Sequence, residues 1–387
     1  MKIKLVILFA IAFSLMACEN QENDFDDFGS TSVYFPFQTP VRTLIQGNYD
    51  LGFNDNDNNG RFEMGVTMSG VYENTADRKV FFEVDPDLIS LTELGATDLN
   101  VRVLPEAYYT IEQQSPVTIP AGSIKGRIPV QLTDAFFDDP LSFVFEKDSV
   151  NYVIPLKITG YEGLDSLLTG VPGTGITNPQ KVKDEDWATL PKDYTLFGIK
   201  FMNKYQGKYL RRGVDRVVGT SQTVVTWRAT GAVVSTSPVV DINDSTVYKA
   251  ENVVQDEVVD VATAGRNKAM VENDINRPGL QSTDAISLEL TFDDNNEVVI
   301  TNTDPSSPFV VTGTGRFVEG GDEWGGEKRD VIYLEYEYQD DVVTTEPRLA
   351  GFQVATSTVS LRHTVNDTLV IRNRDVRFEE FILQITP

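Results

Sequence analysis

The sequence predicts an all-β chain of two domains behind a secretory leader. Three observations predict it: apolar and polar residues alternate with period two along most of the chain, turn signals recur at short spacing, and one Gly- and Pro-rich stretch interrupts the pattern near the middle. Amphipathic helical runs longer than two turns are hard to find, and no repeat of fixed period is visible, which argues against a propeller or a solenoid.

The first seventeen residues read as a signal peptide. Lys2 and Lys4 precede the apolar stretch Leu5 to Phe13, which is too short to span a bilayer, and Leu15, Met16 and Ala17 lead into Cys18. A small residue before a cysteine is what lipoprotein signal peptidase requires, so Cys18 is expected to become an acylated N-terminus. It is the chain's only cysteine, which rules out an internal disulfide. Several acyl chains anchor stably where one would bind only marginally, so the expected membrane contact is lipid. Residues 18–30 form an acid-rich tether resembling the export signal of surface-exposed lipoproteins, and its composition cannot bury enough apolar surface to fold.

Removing the leader takes away two lysines and no acid, so the formal charge moves from −25 to −27. Such a field repels nucleic acid and anionic headgroups, and it disfavours polyanionic glycans unless a local basic patch intervenes. A mature chain of about 370 residues suggests two domains.

Further along, Tyr152, Ile154, Leu156 and Ile158 share one strand parity, with Pro155 between them implying an edge strand or a neighbouring bulge. Between residues 163 and 190 the alternation fails while Gly163, Gly170, Pro172, Gly173, Gly175 and Pro179 accumulate. This reads as an interdomain linker, with a cut near residue 178, a first domain over 31–162 and a second over 191–387. Leu288 to Phe292 and Val298 to Ile300 flank Asp293 to Asn296 as a hairpin. Ile332, Leu334, Tyr336 and Tyr338 face one way from a half-buried strand whose other face carries Glu335 and Glu337. The apolar parity switches between Val376 and Phe378 on one side and Phe381, Leu383 and Ile385 on the other, as one inserted residue at a bulge would produce.

Val33 to Phe35, Val80 to Val84, Leu104 to Thr110, Val117 to Gly122 and Tyr152 to Leu156, in that order, resemble an N-terminal domain of unknown function found in lipoproteins of starch-utilisation-like gene clusters. Phe197 to Lys200, Gly207 to Gly213 and Trp324 to Asp330 look like the C-terminal domain of unknown function that often accompanies it. The resemblance implies an immunoglobulin-like β-sandwich followed by an antiparallel, lipocalin-like β-barrel. It also implies an accessory protein of polysaccharide capture on the outer face of an outer membrane, near glycan-uptake proteins. Neither domain family transfers a catalytic residue, and relatives with a glycosidase carry an additional barrel of alternating strands and helices.

The motifs point away from enzymology. His363, the only histidine, follows Leu361 and Arg362 in an ordinary strand-like segment and reads as a strand-surface residue. With one histidine and an acylated thiol, the usual zinc sites cannot be assembled. Asp55 to Gly60 opens like a calcium loop but has Val66 at the twelfth position, so a hairpin turn explains it better. Acid pairs abound by chance among 58 acidic residues and identify no glycosidase. No catalytic residue, metal or cofactor is assigned. Trp324, beside Asp322, Glu323 and Arg329 in a Gly-rich segment, has the composition of a sugar-stacking platform. The competing reading plugs the barrel end with that ring. Trp227 reads as a core or barrel-wall aromatic and Trp187 as a domain-interface anchor. Asp148-Ser149, Asp165-Ser166, Asp244-Ser245 and Asp367-Thr368 match a short O-glycosylation acceptor pattern expected in turns. The leading expectation is a non-catalytic glycan-binding surface lipoprotein whose barrel meets ligand while its first domain is a spacer. The alternative is an adhesion protein with a protein partner, and the third, less favoured reading is a glycoside hydrolase.

Overall fold

The computed structural model describes residues 27–47, 54–89, 101–143, 150–275, 277, 285–302, 307–375 and 379–380. Cys18, the leader, Asp148-Ser149 and the switch residues Val376, Phe378, Phe381, Leu383 and Ile385 lie outside these. The fold is all-β in two domains, as the alternation predicts.

In chain order the first domain contains β1 (Ser32–Tyr34), β2 (Val41–Ile45), β3 (Arg61–Ser69), β4 (Arg78–Val84), β5 (Arg102–Val103), β6 (Tyr109–Ile111), β7 (Val117–Ile119), β8 (Lys125–Leu132), β9 (Tyr152–Glu162), β10 (Ser166–Leu167), β11 (Val171–Pro172), β12 (Trp187–Thr189) and β13 (Tyr194–Met202). Two sheets, ordered β10-β1-β3-β8-β6 and β24-β2-β13-β9-β4-β7 with β5 alongside β9, face each other; β24 (Glu379–Glu380) comes from the far end of the chain. Strand parity puts Phe62, Met64, Val66 and Met68 of β3 inward against Ile154, Leu156 and Ile158 of β9, forming one continuous core. Phe136, Phe137 and Phe201 close it at one end, with ring centroids 4.9–5.9 Å apart.

The domain boundary differs from the expectation. β13, expected to open the barrel domain, pairs antiparallel with β9 (Tyr194 opposite Lys157) and parallel with β2 (Gly198 opposite Val41), while Glu379 and Glu380 pair with Arg42 and Val41. Unfilled edges of β2 and β9 would leave backbone groups and the cluster of Val41, Val153, Tyr194 and Leu196 exposed, so the sandwich extends to Met202. The Gly- and Pro-rich stretch is an excursion within this domain: β10 returns to pair with β1, and β11 with β12. Trp187 packs on that excursion, its Nε1 donating to the Gln180 carbonyl at 2.8 Å and the Lys181 ammonium lying over its ring.

Pro155 is not on an edge strand, since β9 lies between β13 and β4, but β9 carries a bulge a few residues on, at Ile158 to Gly160. The Pro155 carbonyl accepts from the Asp85 amide, so its missing N–H faces the flank where β4 ends at Val84 and β5 covers only Tyr152 and Val153.

The second domain comprises β14 (Gly207–Trp227), β15 (Val233–Thr236), β16 (Val240–Tyr248), β17 (Glu257–Gly265), β18 (Lys268–Asp274), β19 (Ala285–Phe292), β20 (Glu297–Thr301), β21 (Val311–Trp324), β22 (Glu327–Arg348) and β23 (Gln353–Asn373). β14 pairs with β17, successive neighbours run to β23, and β23 pairs with β14 again, closing an eight-stranded antiparallel barrel. The predicted hairpin over 288–300 is present as β19 and β20, with Asn296 at positive φ. Val261, Leu288, Leu290, Ile332, Leu334 and Leu369 fill the interior.

Three strands outrun the barrel. β17 leaves β14 after Arg211, and β21 leaves β22 after Tyr338, yet β14, β22 and β23 stay paired to Trp227, Arg348 and Gln353, with β15 and β16 along the other edge of β14. About ten residues at about 3.3 Å each carry this four-stranded arm about 30 Å past the rim. Trp227 stands on it, 41% exposed, instead of in the barrel wall.

Candidate binding cleft

β1 covers only Thr67 to Ser69 of β3, because the chain leaves the sheet at Phe35 and crosses to β2 through Pro36 and Pro40. Among the described residues, the edge of β3 from Arg61 to Val66 is thereby left without a strand neighbour on that side and looks across a seam toward β2 and β13. The seam is a cleft of about 520 Å³, within the range of small-ligand sites. Phe62 and Phe197 stack across it with centroids 5.3 Å apart and planes 16° from parallel, and Phe37 stands at the mouth, 44% exposed.

Polar groups ring this apolar floor. Outward positions of β3 and β8 pair Gly65 with Arg127 and Thr67 with Lys125, so a residue without a side chain opens the floor beneath two cations. Arg127 meets Glu63 at 2.9 Å and Arg61 meets Glu112 at 2.5 Å, both pairs solvent-accessible. Arg42 is held at 2.6 Å by Asp57, whose other oxygen accepts from the Ile45 amide. That assignment reinterprets Asp55 to Gly60: Asp55–Asn58 is one helical turn instead of a hairpin, and Asp57 is buried as a structural anion.

The predicted platform has a different setting from an open loop or a barrel plug. Gly325 and Gly326, both at positive φ, make the two-residue turn between β21 and β22, and the register sets Asp322 opposite Arg329 and Trp324 opposite Glu327. Trp324 is half-buried, with the Arg329 guanidinium 4.6 Å from its ring centroid and Arg329 also bonded to Glu327. Asp322 and Glu323 are exposed. The turn thus brings together Trp324, Arg329 and Glu327, and the arginine occupies ring surface that a sugar would need.

His363 is fully buried inside the barrel, which corrects the surface reading. Its Nδ1 lies 2.9 Å from Asp215 Oδ2, and its ring stacks on Tyr338 at 4.4 Å. Beside it Arg211 Nε donates to Asp367 Oδ2 at 3.0 Å, which also accepts from Tyr336 at 3.1 Å. Burial pushes the Asp367 carboxyl up in pKa, against the downward pull of Arg211 and Tyr336. Ser166, Ser245 and Thr368 of the acceptor patterns lie in strands, not in turns.

Sequence reasoning passed over Phe37, Phe197, Lys125 and Arg127, because the cleft is assembled from four segments far apart in the chain. The only local signals were the Phe35-Pro36-Phe37 run and the alternating cations of β8.

Residues 204–375 match a family described as a domain of unknown function, DUF5627. Residues 27–165 match a second family, described as an N-terminal domain. The DUF5627-like part coincides with the barrel and arm, and its first matched residue lies two positions after Met202, the end of the sandwich. No curated protein matches the chain. Among solved structures, a Bacteroides ovatus protein of unknown function is 27% identical with a TM-score of 0.72, covering 93% of this chain and 99% of its own. A second B. ovatus protein of unknown function (15% identical, 92% and 99% covered, TM-score 0.39) and an auxiliary nutrient binding protein from Bacteroides thetaiotaomicron (14% identical, 86% and 90% covered, TM-score 0.36) are too distant to carry an argument.

Proposed function

We propose that the protein is a non-catalytic, glycan-binding lipoprotein, anchored through acylated Cys18 in an outer membrane and facing the cell exterior. The cleft carries the glycan reading: it joins exposed and stacked aromatic rings, an uncovered strand edge and several charged side chains in one concavity of oligosaccharide dimensions. Sugar C–H faces pack on the rings, and hydroxyls exchange hydrogen bonds with the strand edge and the charged rim. Cys18 and the residues before it support the anchor. The site belongs to the sandwich, so the first domain is more than a spacer.

A glycan array probed with the mature chain tests this. At least one oligosaccharide class should bind, and Phe37→Ala should weaken it tenfold or more while stability stays within about 0.5 kcal/mol, the usual range for a surface change. If nothing binds, or if the Phe37 variant binds undiminished, the cleft is not the site.

The arm favours a second reading, a protein partner such as a glycan-uptake protein. From Val217 to Val240 the only charged residue is Arg228, and Val218, Val233, Val240, Val247, Val343 and Phe352 are all exposed. Exposed apolar side chains gathered in this way mark interfaces. Cell-surface crosslinking from a cysteine at position 343 should yield one defined partner, lost in Trp227→Glu; a smear of products would dismiss the reading.

A further inference from the structure

We infer that the cleft takes an acidic glycan, one bearing uronate carboxylates or sulfate esters. This rests on the glycan reading of the same site and specifies its ligand. The chain has 33 basic and 58 acidic residues, yet the charged residues lining the cleft are Arg42, Arg61, Lys125 and Arg127 against Glu63 alone. Counting the carboxylates that pair from behind, Asp57 and Glu112, the balance is four cations to three anions. The concavity is therefore net positive in a strongly negative molecule, which is the local basic patch that a polyanion would require to approach.

Two of the four cations are available to a ligand. Arg42 is committed to buried Asp57, and Arg61 to Glu112. Arg127 is 71% exposed and pairs with the half-exposed Glu63, a surface pair of the kind that costs little to exchange. Lys125 is exposed and has no ion-pair partner among the described residues. The two side chains stand two residues apart on the outward face of β8, about 7 Å from each other, above Gly65 and Thr67. A guanidinium forks onto a carboxylate or sulfate in bidentate fashion, an ammonium meets a second anionic group as a point charge, and the rings of Phe37 and Phe197 take the sugar face between them.

Calorimetric titration of the mature chain with paired probes tests the inference. Galacturonate oligosaccharides are set against their methyl esters, and chondroitin sulfate oligosaccharides against desulfated forms, so that carboxylate and sulfate sources are read separately. The expected result is that at least one acidic probe binds tenfold or more tighter than its neutralised partner. Its affinity should fall as salt rises, and the Lys125→Ala/Arg127→Ala pair should erase the difference without moving the thermal midpoint. Equal affinity for charged and neutralised probes, with both lost in Phe37→Ala, overturns the acidic preference while leaving a glycan site. Preferential binding that survives the double variant puts the acidic site elsewhere and overturns the inference. Absence of binding by every glycan, neutral ones included, overturns this inference and the glycan reading together.

Discussion

His363 and Asp367 show how much one residue's position can be worth. Parity along β23 sets His363 with Leu361, Val365 and Asp367 on the inward face, so the barrel closes over ionisable groups that must find partners inside. Arg211 and Tyr336 both donate to Asp367 Oδ2 there. Asp367→Ala should therefore cost about 3 to 5 kcal/mol in denaturant unfolding, because the buried guanidinium loses its nearer and fully buried anion and keeps only half-exposed Glu257 at 3.3 Å. A loss below about 1 kcal/mol would mean that Glu257 and water suffice for Arg211. Trp324 makes the contrasting case. Half-buried under Arg329, it should lose only about 1 kcal/mol on truncation to alanine, the scale of an exposed cation–π contact, against about 3 to 5 for a ring plugging the barrel. Thermal unfolding of Trp324→Ala separates the two.

At the scale of elements, β13 decides where one domain ends. A fragment of residues 27–178 lacks the strand that fills the gap between β2 and β9, together with Tyr194 and Leu196 from the small cluster beneath it. It should fail to unfold cooperatively, whereas 27–202 should show a single transition by circular dichroism. Equal cooperativity of the two fragments would return the boundary to the Gly-rich stretch. The period-two pattern made the strands themselves legible: the inward run of β22 and the hairpin joining β19 to β20 appear where alternation and turn chemistry put them. Pairing partners were not legible. An alternating strand specifies which of its faces is buried but not which of two sheets receives it.

For the whole molecule, charge and anchoring act together. On the proposed cleavage before Cys18 the chain carries −27 and is repelled by anionic surfaces, so the proposed acyl chains would be what holds it at a membrane. Cys18→Ala should release the protein into the soluble fraction of fractionated cells. Persistent membrane retention would point to the arm, whose exposed apolar side chains are the other feature suited to a fixed attachment.

What the sequence by itself determined is local: the period of the strands, the turns and the sign of the overall field. Each follows from neighbours a few positions apart, where backbone geometry and side-chain type suffice. The tertiary structure decided what depends on long-range pairing. It moved β13 into the sandwich, buried His363 by closing β23 onto β14, and carried Trp227 beyond the rim. By ending β1 at Tyr34 it opened a seam in which Phe37, Phe62, Lys125, Arg127 and Phe197 meet. These choices turn on which strand edges remain to be filled once the core is packed, a condition set by the whole chain and by no segment of it.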